Sequence, residues 1–443
     1  MSILALRRLR ACFLLLGIAA LGACGGGDPA PAGPSETPLQ LAPPRVGGTY
    51  VRPPGAARLL GMNIGAKNYD DPAYQAQLAR LDVVILGFYR GWHGDTDGST
   101  IRRAVRAMKA LNPALKVGQY TKLNEAQDSP LGTSDHDLSV ELDATGWWLR
   151  NAAGQRLQWT SAYAAWDINI TGWTAPDAAG DRWPQWLARR DNALYFQRVP
   201  EFDVWYFDNV MANSRVPAAN WKLDGVDRPS NAPDIAAAYR SGHLAEWQAA
   251  AAVAPGRLQM GNVSTDLSQP EFDHRLGAAF LEAQIGRSWS IETWAGWLPM
   301  MQRYFDVTRH LAAPALVGFN VSGSPSDYRL FRYAFTSCLL GDGYFSFTDP
   351  AAGYSSVPWF DEYEVALGAP MSRPSLDEWS NGVHRRRFQN ALVLVNPQSG
   401  PRTVTVGGGW RRLLGTQDPV TNDGRPVRTL TLPAKDGIVL VRR

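Results

Sequence analysis

The stretch Phe202-Asp203-Val204-Trp205-Tyr206-Phe207-Asp208 is a mostly apolar run that ends in a carboxylate. Consecutive aromatic and β-branched residues favour a β-strand that is buried on both of its faces. Strands of this kind belong to parallel sheets, because helices connect parallel strands and cover both faces of the sheet. The stretch therefore predicts an α/β chain in which similar runs alternate with helical segments.

Seven further apolar runs follow this pattern, which gives the eight strands that a (β/α)8 TIM barrel requires. They are Leu59–Ile64, Leu81–Phe88, Leu115–Tyr120, Leu258–Asn262, Ala278–Glu282, Ala315–Asn320 and Gly343–Phe347. Amphipathic segments such as Thr100–Leu111, Ala236–Val253 and Ala295–Arg309 lie between them. We predict a barrel over residues 49–375. A doubly wound open sheet is the alternative, although the chain has neither the GxGxxG nor the Walker A turn that such sheets usually carry.

A long connection between the third and fourth runs departs from a minimal barrel. It covers residues 121–200 and contains seven tryptophans, Trp147, Trp148, Trp159, Trp166, Trp173, Trp183 and Trp186. Connections of this length are usually functional. The tryptophans predict either a sugar-binding surface or the core of a small subdomain.

The tail, residues 376–443, changes to short alternating runs separated by turn residues, which is typical of a small antiparallel β-sandwich domain. The predicted strands are Arg387–Val395, Arg402–Val406, Trp410–Leu414, Val427–Leu432 and Gly437–Val441. The residues predicted to separate them include Asn396-Pro397, Gly407-Gly408-Gly409 and Asn422-Asp423-Gly424.

The first 24 residues have the layout of an export signal. A basic front precedes an apolar run that is about half as long as a membrane span. The end of this segment, Leu21-Gly22-Ala23-Cys24, resembles the lipobox of bacterial lipoproteins, in which the cysteine is acylated and becomes the new N-terminus. The resemblance implies lipidation of Cys24, and Gly25 after it favours the outer membrane. An ordinary signal peptide is the alternative, and residues 25–48 predict a flexible tether.

The cysteines and the net charge narrow the classes of protein further. Loss of Cys12 with the signal and acylation of Cys24 leave Cys338 alone, so an intrachain disulfide is excluded in the mature chain. Cys338 lies in an apolar stretch and is predicted to be a packed core thiol. A net charge of +3 without a basic tract argues against a nucleic-acid partner.

Asp208 and Glu282 form the sharpest candidate pair, because active sites of TIM barrels lie at the carboxyl ends of the strands. The backbones of alternate strands are roughly 10 Å apart. The two carboxyl groups can therefore come within about 5 to 9 Å of each other, which is the separation used in glycoside hydrolysis. That reaction needs one protonated carboxylic acid and one ionised carboxylate. The structural alternatives are a helix N-cap for Asp208 and an ion pair with Arg275 or Arg287 for Glu282.

Other polar and aromatic residues near the predicted strand ends are candidates for substrate binding. They are Asn63, Tyr89, Trp92, His93, Tyr120, Lys122, Asp167, Asn209, Asn262, Asn320, Asp349, Trp359 and Glu362. A surface turn is the alternative role for His93 and a helix cap for Glu362. No metal or other cofactor is predicted, because paired His ligands of a catalytic zinc are lacking. The GxSxG motif of a serine nucleophile is lacking too.

Several passages resemble the GHL15-like group of hypothetical glycosyl hydrolases within the α-galactosidase-type TIM-barrel superfamily. They are Phe202–Asn209, Ala278–Glu282, Gly341–Phe347, Trp359–Pro370 and Arg386–Pro397. The resemblance implies that the strand-four Asp208 is the nucleophile and the strand-six Glu282 the acid/base of a retaining mechanism. The superfamily often has Asp where this chain has Glu282.

The sequence thus predicts a lipid-anchored retaining glycoside hydrolase that acts on a polysaccharide or oligosaccharide outside the cytoplasm. A non-catalytic carbohydrate-binding lipoprotein on the same barrel is the main alternative. A metal-dependent polysaccharide deacetylase or phosphodiester hydrolase is a third hypothesis, against which the lack of clustered metal ligands argues.

Overall fold

The apolar runs form eight parallel strands that close into a barrel. The computed structural model describes residues 52–264 and 266–442. The barrel strands are β1 Leu60–Asn63, β2 Val83–Leu86, β3 Lys116–Lys122, β4 Val204–Val210, β5 Leu258–Val263, β6 Ala278–Ile285, β7 Leu316–Ser322 and β8 Tyr344–Thr348. Their order in the sheet is their order in the chain, and a bridge between Leu59 and Phe345 joins β8 to β1. The TIM-barrel prediction is confirmed, and closure of the barrel excludes the open sheet.

Side chains alternate between the barrel interior and the surrounding layer, as the period of two in a strand requires. The interior is filled by an apolar cluster, Leu60, Met62, Val83, Ile85, Val204, Tyr206, Met260, Ala278, Phe280 and Leu316. Two residues further along β4, β5 and β6, the same inward register reaches Asp208, Asn262 and Glu282. The alternation therefore places polar side chains at the mouth of an apolar barrel.

Eight α-helices lie in the connections of the described residues, and the three that begin at Ser99, Pro233 and Trp297 match the predicted amphipathic segments. Their bounds are α1 Pro72–Leu78, α2 Ser99–Leu111, α3 His136–Thr145, α4 Trp183–Asp191, α5 Pro233–Val253, α6 Ile291–Trp294, α7 Trp297–Arg309 and α8 Tyr328–Leu339. The predicted segment Ala295–Arg309 begins later than expected, because Gly296, with a φ of 95°, separates α6 from α7. After β8 the chain runs as an irregular segment into the 3-10 turn Asp361–Glu364.

The long connection between β3 and β4 folds around an apolar core of its own. Trp147, Trp148 and Trp183 are buried in it together with Trp221 and Tyr239. For these three tryptophans the subdomain interpretation is right. The other four pack against this core but are only partly buried, namely Trp159, Trp166, Trp173 and Trp186.

The tail forms a five-stranded antiparallel sheet with an apolar core of its own. Its strands are β9 His384–Arg387, β10 Ala391–Asn396, β11 Arg402–Arg412, β12 Pro426–Leu432 and β13 Asp436–Arg442. The order across the sheet is β9-β10-β13-β11-β12. The predicted antiparallel β fold of the tail is confirmed, and the predicted domain boundary after residue 375, in the irregular segment before β9, stays a prediction.

Two of the predicted tail strands were delimited wrongly. The run Arg387–Val395 is the end of β9, a turn, and most of β10, which pair as a hairpin. The three glycines at 407–409 do not separate two strands but lie inside β11, where the pairing register with β12 shifts. Gly407 and Gly409 have φ values of 80° and 87°. Because glycine adopts positive φ without a steric penalty, a bulge here bends the strand and does not end it.

The barrel and the C-terminal sheet are joined by buried polar contacts on α8. Arg332 donates from Nε and Nη2 to the two carboxylate oxygens of Asp436, each at 3.0 Å, and also contacts Asp418. Arg332 and Asp436 are 5% and 2% exposed. Nearby in α8, Cys338 is a buried free thiol, as predicted, and burial raises its pKa to about 12.

The predicted export signal, the lipidation site Cys24 and the tether lie outside the described residues. Among the helices that the structure describes, none combines the length and apolar character that crossing a bilayer requires.

We expect Arg332→Met to lower the free energy of unfolding by about 3 to 5 kcal/mol, because it leaves the buried Asp436 carboxylate without its charged partner. Urea unfolding followed by circular dichroism measures the loss. The control is Arg309→Met, which breaks the exposed pair between Arg309 and Asp306 at 2.6 Å and should cost less than about 1 kcal/mol. Equal losses in the two variants would contradict a stabilising role of the buried pair.

Candidate active site

One side-chain amide links the two candidate carboxylates at the mouth of the barrel. Nδ2 of Asn262 donates to Oδ1 of Asp208 and to Oε2 of Glu282, each at 2.9 Å. The two acceptor oxygens are therefore at most twice that distance, about 5.8 Å, apart. All three side chains are only partly buried, so the group is open to solvent.

Each carboxylate also accepts a short hydrogen bond from a tyrosine. Tyr120 of β3 donates to Oδ2 of Asp208 at 2.5 Å, and Tyr354, after β8, donates to Oε1 of Glu282 at 2.5 Å. The two carboxylates thus have matching surroundings, one tyrosine each and one shared amide. Neither alternative role fits this geometry, because Asp208 caps no helix and Glu282 makes no ion pair within the described residues.

Both carboxylates stand directly before a break in strand pairing. The register between β4 and β5 shifts after Phe207, and that between β6 and β7 shifts after Leu281. The residues that follow the carboxylates, Asn209 and Ala283, have φ values of 56° and 41°. Non-glycine residues seldom adopt positive φ, and such strain is common at functional sites. Bulges of this kind redirect side chains next to active sites.

Two polar side chains hold the bulge behind Glu282 in place. Asn320 Oδ1 accepts from the backbone N–H of Ala283 at 2.9 Å, and Ser290 Oγ donates to the carbonyl oxygen of Ala283 at 2.5 Å. The Asn320 amide in turn donates to Ser346 and Thr348 of β8. Asn320 therefore positions Glu282 through the backbone, although it was predicted as a substrate-binding residue.

The surroundings of Glu282 act on its ionisation. Burial, and then the negative charge of Asp208, raises the pKa of Glu282, while its bonds to Tyr354 and Asn262 and the charge of Arg287 lower it in part. Burial and the adjacent Asp208 also hold the pKa of Tyr120 well above its usual value, so Tyr120 stays a donor. The net effect on Glu282 favours the protonated acid.

A second polar cluster lies beside Asp208, where the long connection to β4 begins at the end of β3. Lys122 is the register neighbour of Asp208, and its Nζ lies 3.3 Å from Glu125. Glu125 also accepts from the indole N–H of Trp159 at 2.7 Å, and the Arg215 guanidinium lies over the Trp159 ring at 3.7 Å. The long connection after β3, together with Arg215 from the connection after β4, therefore forms a charged and aromatic wall beside Asp208.

Asp167 supports this wall from behind and does not face the mouth. It is opposite Glu125 in a pair of short strands, and it accepts from the backbone N–H of Trp159 at 2.9 Å. Asp167 is 5% exposed, and burial together with the Glu125 charge raises its pKa to about 7. A direct substrate contact of Asp167, as predicted, does not agree with this burial.

The described residues contain no cluster of side chains suited to bind a metal ion. Within residues 52–264 and 266–442, no three His, Cys, Asp or Glu side chains gather closely enough to hold one.

Comparison with known families identifies the group to which the chain belongs. The model of hypothetical glycosyl hydrolase family 15 matches residues 109–392, which include both carboxylates and the barrel strands β3 to β8. The chain belongs to this family. Membership in the family supports glycoside hydrolysis as the class of activity.

Solved structures with a similar fold include amylases and a glycoside hydrolase domain, at low sequence identity. Amy13B of Eubacterium rectale has a TM-score of 0.50 and 9% identity over 88% of this chain and 97% of its own. An α-amylase of Anoxybacillus has a TM-score of 0.48 and 11% identity, and the match covers 87% of this chain and 98% of the amylase. The glycoside hydrolase domain of PelA from Pseudomonas aeruginosa has a TM-score of 0.41 and 15% identity. The match covers 68% of this chain and 97% of that domain. No curated protein sequence matches the chain. These likenesses concern the fold alone.

The loop after β2 supplies fewer site residues than the sequence predicted. Trp92 is fully buried and donates its indole N–H to the carbonyl oxygen of Lys67 at 3.0 Å, so it is a core residue without a surface for a sugar. His93 is half-exposed and lies 3.6 Å from Asp70. Tyr89 is 36% exposed beside Lys67. None of these hydrogen bonds or ring contacts joins the loop to the carboxylate pair.

Asn63 also points away from the mouth. It lies outside the inward register of β1 and donates to the hydroxyl of Tyr74 in α1 and to the carbonyl oxygen of Ser356, each at 2.9 Å. Its predicted substrate contact is therefore wrong, because its amide is used between the barrel wall and the surrounding layer.

The segment after β8 leaves the mouth soon after Tyr354, which corrects two further predictions. Arg80, next to the carboxyl end of α1, lies over the Trp359 ring at 3.4 Å, and Glu362 accepts from Asn422 of the C-terminal sheet at 2.8 Å. Both residues therefore stabilise the outer layer and not the site. Asp349, directly after β8, accepts from the backbone N–H of Ala351 at 2.9 Å.

Tyr354, Arg215 and Ser290 were not among the predicted site residues. All three lie in connections that follow barrel strands. Only their place in carboxyl-end connections of a barrel could have indicated them.

We expect the Glu282 carboxyl to titrate above the ordinary range of a glutamate, since burial and the Asp208 charge disfavour its ionised form. Tyr354→Phe should raise this pKa further, because it removes a hydrogen bond to the carboxylate form. Asp208→Asn should lower it, because it removes the neighbouring charge. Carboxyl 13C NMR titration, with Glu282 assigned from the Glu282→Gln variant, measures all three. Shifts in the opposite directions would contradict the coupling.

Proposed function

We propose that this protein is a retaining glycoside hydrolase in which Asp208 is the nucleophile and Glu282 the acid/base. The observation that carries the proposal is the shared bond to Asn262, which limits the two acceptor oxygens to about 5.8 Å. Retaining enzymes have carboxyl groups about 5 to 5.5 Å apart, whereas inverting enzymes need about 6.5 to 9.5 Å to admit a water molecule. The geometry thus favours direct attack by one carboxylate.

In the first step, Asp208 attacks the anomeric carbon of a sugar bound at the mouth, and the bond from that carbon to the glycosidic oxygen breaks. Glu282, protonated at the start, donates its proton to the departing oxygen. In the second step, Glu282 removes a proton from water, which attacks the same carbon and releases Asp208 from the covalent glycosyl ester. Proton and charge are restored, and the anomeric configuration is retained.

The surroundings of the pair suit these roles. The Tyr120 hydroxyl and the Asn262 amide each donate to Asp208, which orients its carboxylate toward the mouth. Burial and the Asp208 charge raise the pKa of Glu282, which favours the acid form that the first step needs. Lys122, Trp159 and Arg215 are the substrate-binding candidates on the Asp208 side.

We also propose that the enzyme acts outside the cytoplasm, anchored to the envelope through acylated Cys24. The Leu21-Gly22-Ala23-Cys24 ending of the export signal supports this localisation. Several acyl chains hold a protein stably at a membrane, where one does not. A polysaccharide or oligosaccharide of the envelope or its surroundings is then the substrate class.

We expect Asp208→Asn to lower turnover by at least about four orders of magnitude, as loss of a covalent nucleophile does elsewhere, and Glu282→Gln to lower it by about 10² to 10⁴. The soluble chain from Gly48 is screened against a glycan panel, with product analysis by mass spectrometry. Asp266→Asn, an exposed carboxylate after β5, is the control and should keep full activity.

The anomeric configuration of the first product, followed by 1H NMR, tests the retaining mechanism. Inversion would sink the assignment of Asp208 as nucleophile. Binding of glycans without cleavage by the unaltered chain would instead support the alternative of a carbohydrate-binding lipoprotein.

The lipid anchor predicts that Cys24→Ala releases the protein from the membrane fraction, because the acyl chains supply the membrane affinity. Fractionation and metabolic labelling with a radioactive fatty acid measure this. A wild-type protein that takes up no label would contradict the anchor without affecting the hydrolase assignment.

A further inference from the structure

The segment that follows Glu282 carries an unusual exposed aromatic surface. The chain has 17 tryptophans, but only Trp289 and Trp294 expose more than a third of their surface, 45% and 61%. Both lie in the connection between β6 and α7, with the exposed Leu298 just beyond. Apolar surface left in water carries a free-energy cost, so two large exposed aromatic side chains within one short segment indicate a binding surface.

This segment is fixed to the backbone next to Glu282. Ser290 Oγ donates to the carbonyl oxygen of Ala283 at 2.5 Å and accepts from the backbone N–H of Arg287 at 2.9 Å. Gly286 has a φ of 101° and lies so close to the carbonyl oxygen of Ser322 that a side chain would collide with it. The loop that carries Trp289 therefore has little freedom and starts beside the candidate acid/base.

Contacts with α8 and the C-terminal sheet fix the short helix that carries Trp294. Glu292 of α6 accepts from the Tyr333 hydroxyl at 3.2 Å and from Lys435 Nζ at 2.7 Å. Trp297, the first residue of α7, is buried and donates its indole N–H to Ser337 at 2.8 Å. Because these contacts order the segment that carries Trp289 and Trp294 before a ligand arrives, binding to it loses little conformational entropy.

The segment lies on the side of Glu282 that faces away from Asp208. It leaves β6 toward the end of β7, where Gly286 meets Ser322, whereas Asp208 is on β4, two strands away in the other direction. The Arg287 charge lowers the pKa of Glu282, which agrees with a loop close to that carboxyl. In a retaining mechanism the acid/base protonates the leaving oxygen, so its far side faces the leaving part of the substrate.

We infer that Trp289 and Trp294 form a sugar-stacking surface on the leaving-group side, and that the substrate is a glycan chain that continues beyond the cleaved bond. The assignment to the leaving-group side rests on the proposed function. Glycan binding by the two tryptophans does not depend on turnover. An indole ring offers an apolar face to the C–H face of a pyranose. The ligand class is therefore a chain of several pyranose units.

The test measures glycan binding separately from cleavage. The Asp208→Asn variant is run in native gels that contain glycogen, hydroxyethyl cellulose, glycol chitin, xylan or galactan. We expect at least one polysaccharide to retard it, and Trp289→Ala in the same background to bind roughly tenfold more weakly, as loss of one stacking contact predicts. Trp289→Phe should restore most of the retardation, because it keeps a ring.

Trp379→Ala is the matched control, since Trp379 packs against the core of the C-terminal sheet and should leave retardation unchanged. Circular dichroism checks that each variant is folded. Equal retardation of Trp289→Ala and its parent, or no retardation in any gel, would overturn the inference.

Turnover then separates this inference from the proposed function. On the polysaccharide that retards the protein, Trp289→Ala in the active chain should raise KM about tenfold. Hydrolysis of a glycosyl fluoride of the same sugar should fall much less, because its leaving group is too small to contact an indole ring. Weaker binding of Trp289→Ala with no hydrolysis by the wild-type chain would support the glycan surface and refute the hydrolase. An equal loss on the glycosyl fluoride would overturn the leaving-group assignment.

Discussion

The paired hydrogen bonds of the Asn262 amide are the constraint on which the site depends. A neutral amide has two N–H donors, and here one holds Asp208 and the other Glu282. An ammonium group in the same place would also bridge two carboxylates, but its charge would favour ionisation of both. The amide limits the distance between them, and its hydrogen bond lowers the pKa of Glu282 by less than burial and the Asp208 charge raise it.

This arrangement makes the acidity of Glu282 depend on the state of Asp208. While Asp208 is ionised, its charge raises the pKa of Glu282 and favours the acid form. Once Asp208 forms an ester in the proposed mechanism, that charge is lost, and the pKa of Glu282 falls. The same residue then suits its second role as a base, because the neighbouring charge that favoured its acid form is gone. One close contact therefore serves both steps of the reaction.

The strand period explains what could be predicted from the sequence and what could not. Asp208, Asn262 and Glu282 each follow an inward apolar residue by two positions, so runs of strand residues were enough to bring them together. Asn63 lies equally near a strand end but has the opposite parity, and its side chain faces α1. Nearness to a strand end thus does not predict a site unless the inward register is known.

The remaining errors arise where long-range packing decides the position of a residue. Trp92 follows β2 closely, but its ring is buried against Phe88 and Tyr69. Tyr354 reaches Glu282 from a connection without a regular element. In the tail, the glycines of β11 were read as a break because glycine is common in turns, whereas pairing with β12 on both sides keeps the strand continuous.

The C-terminal sheet has a physical link to the site through the segment after β8. Tyr354 donates to Glu282 at the mouth, and the same segment then runs down the outer layer to Asp361 and Glu362. Asp361 accepts from the backbone N–H groups of Thr416 and Gln417, and Glu362 accepts from Asn422. Since no α-helix stiffens this segment, contacts at its far end restrict its path. The sheet thereby helps to hold the tyrosine that tunes the candidate acid, which gives it a role beyond stabilising the barrel.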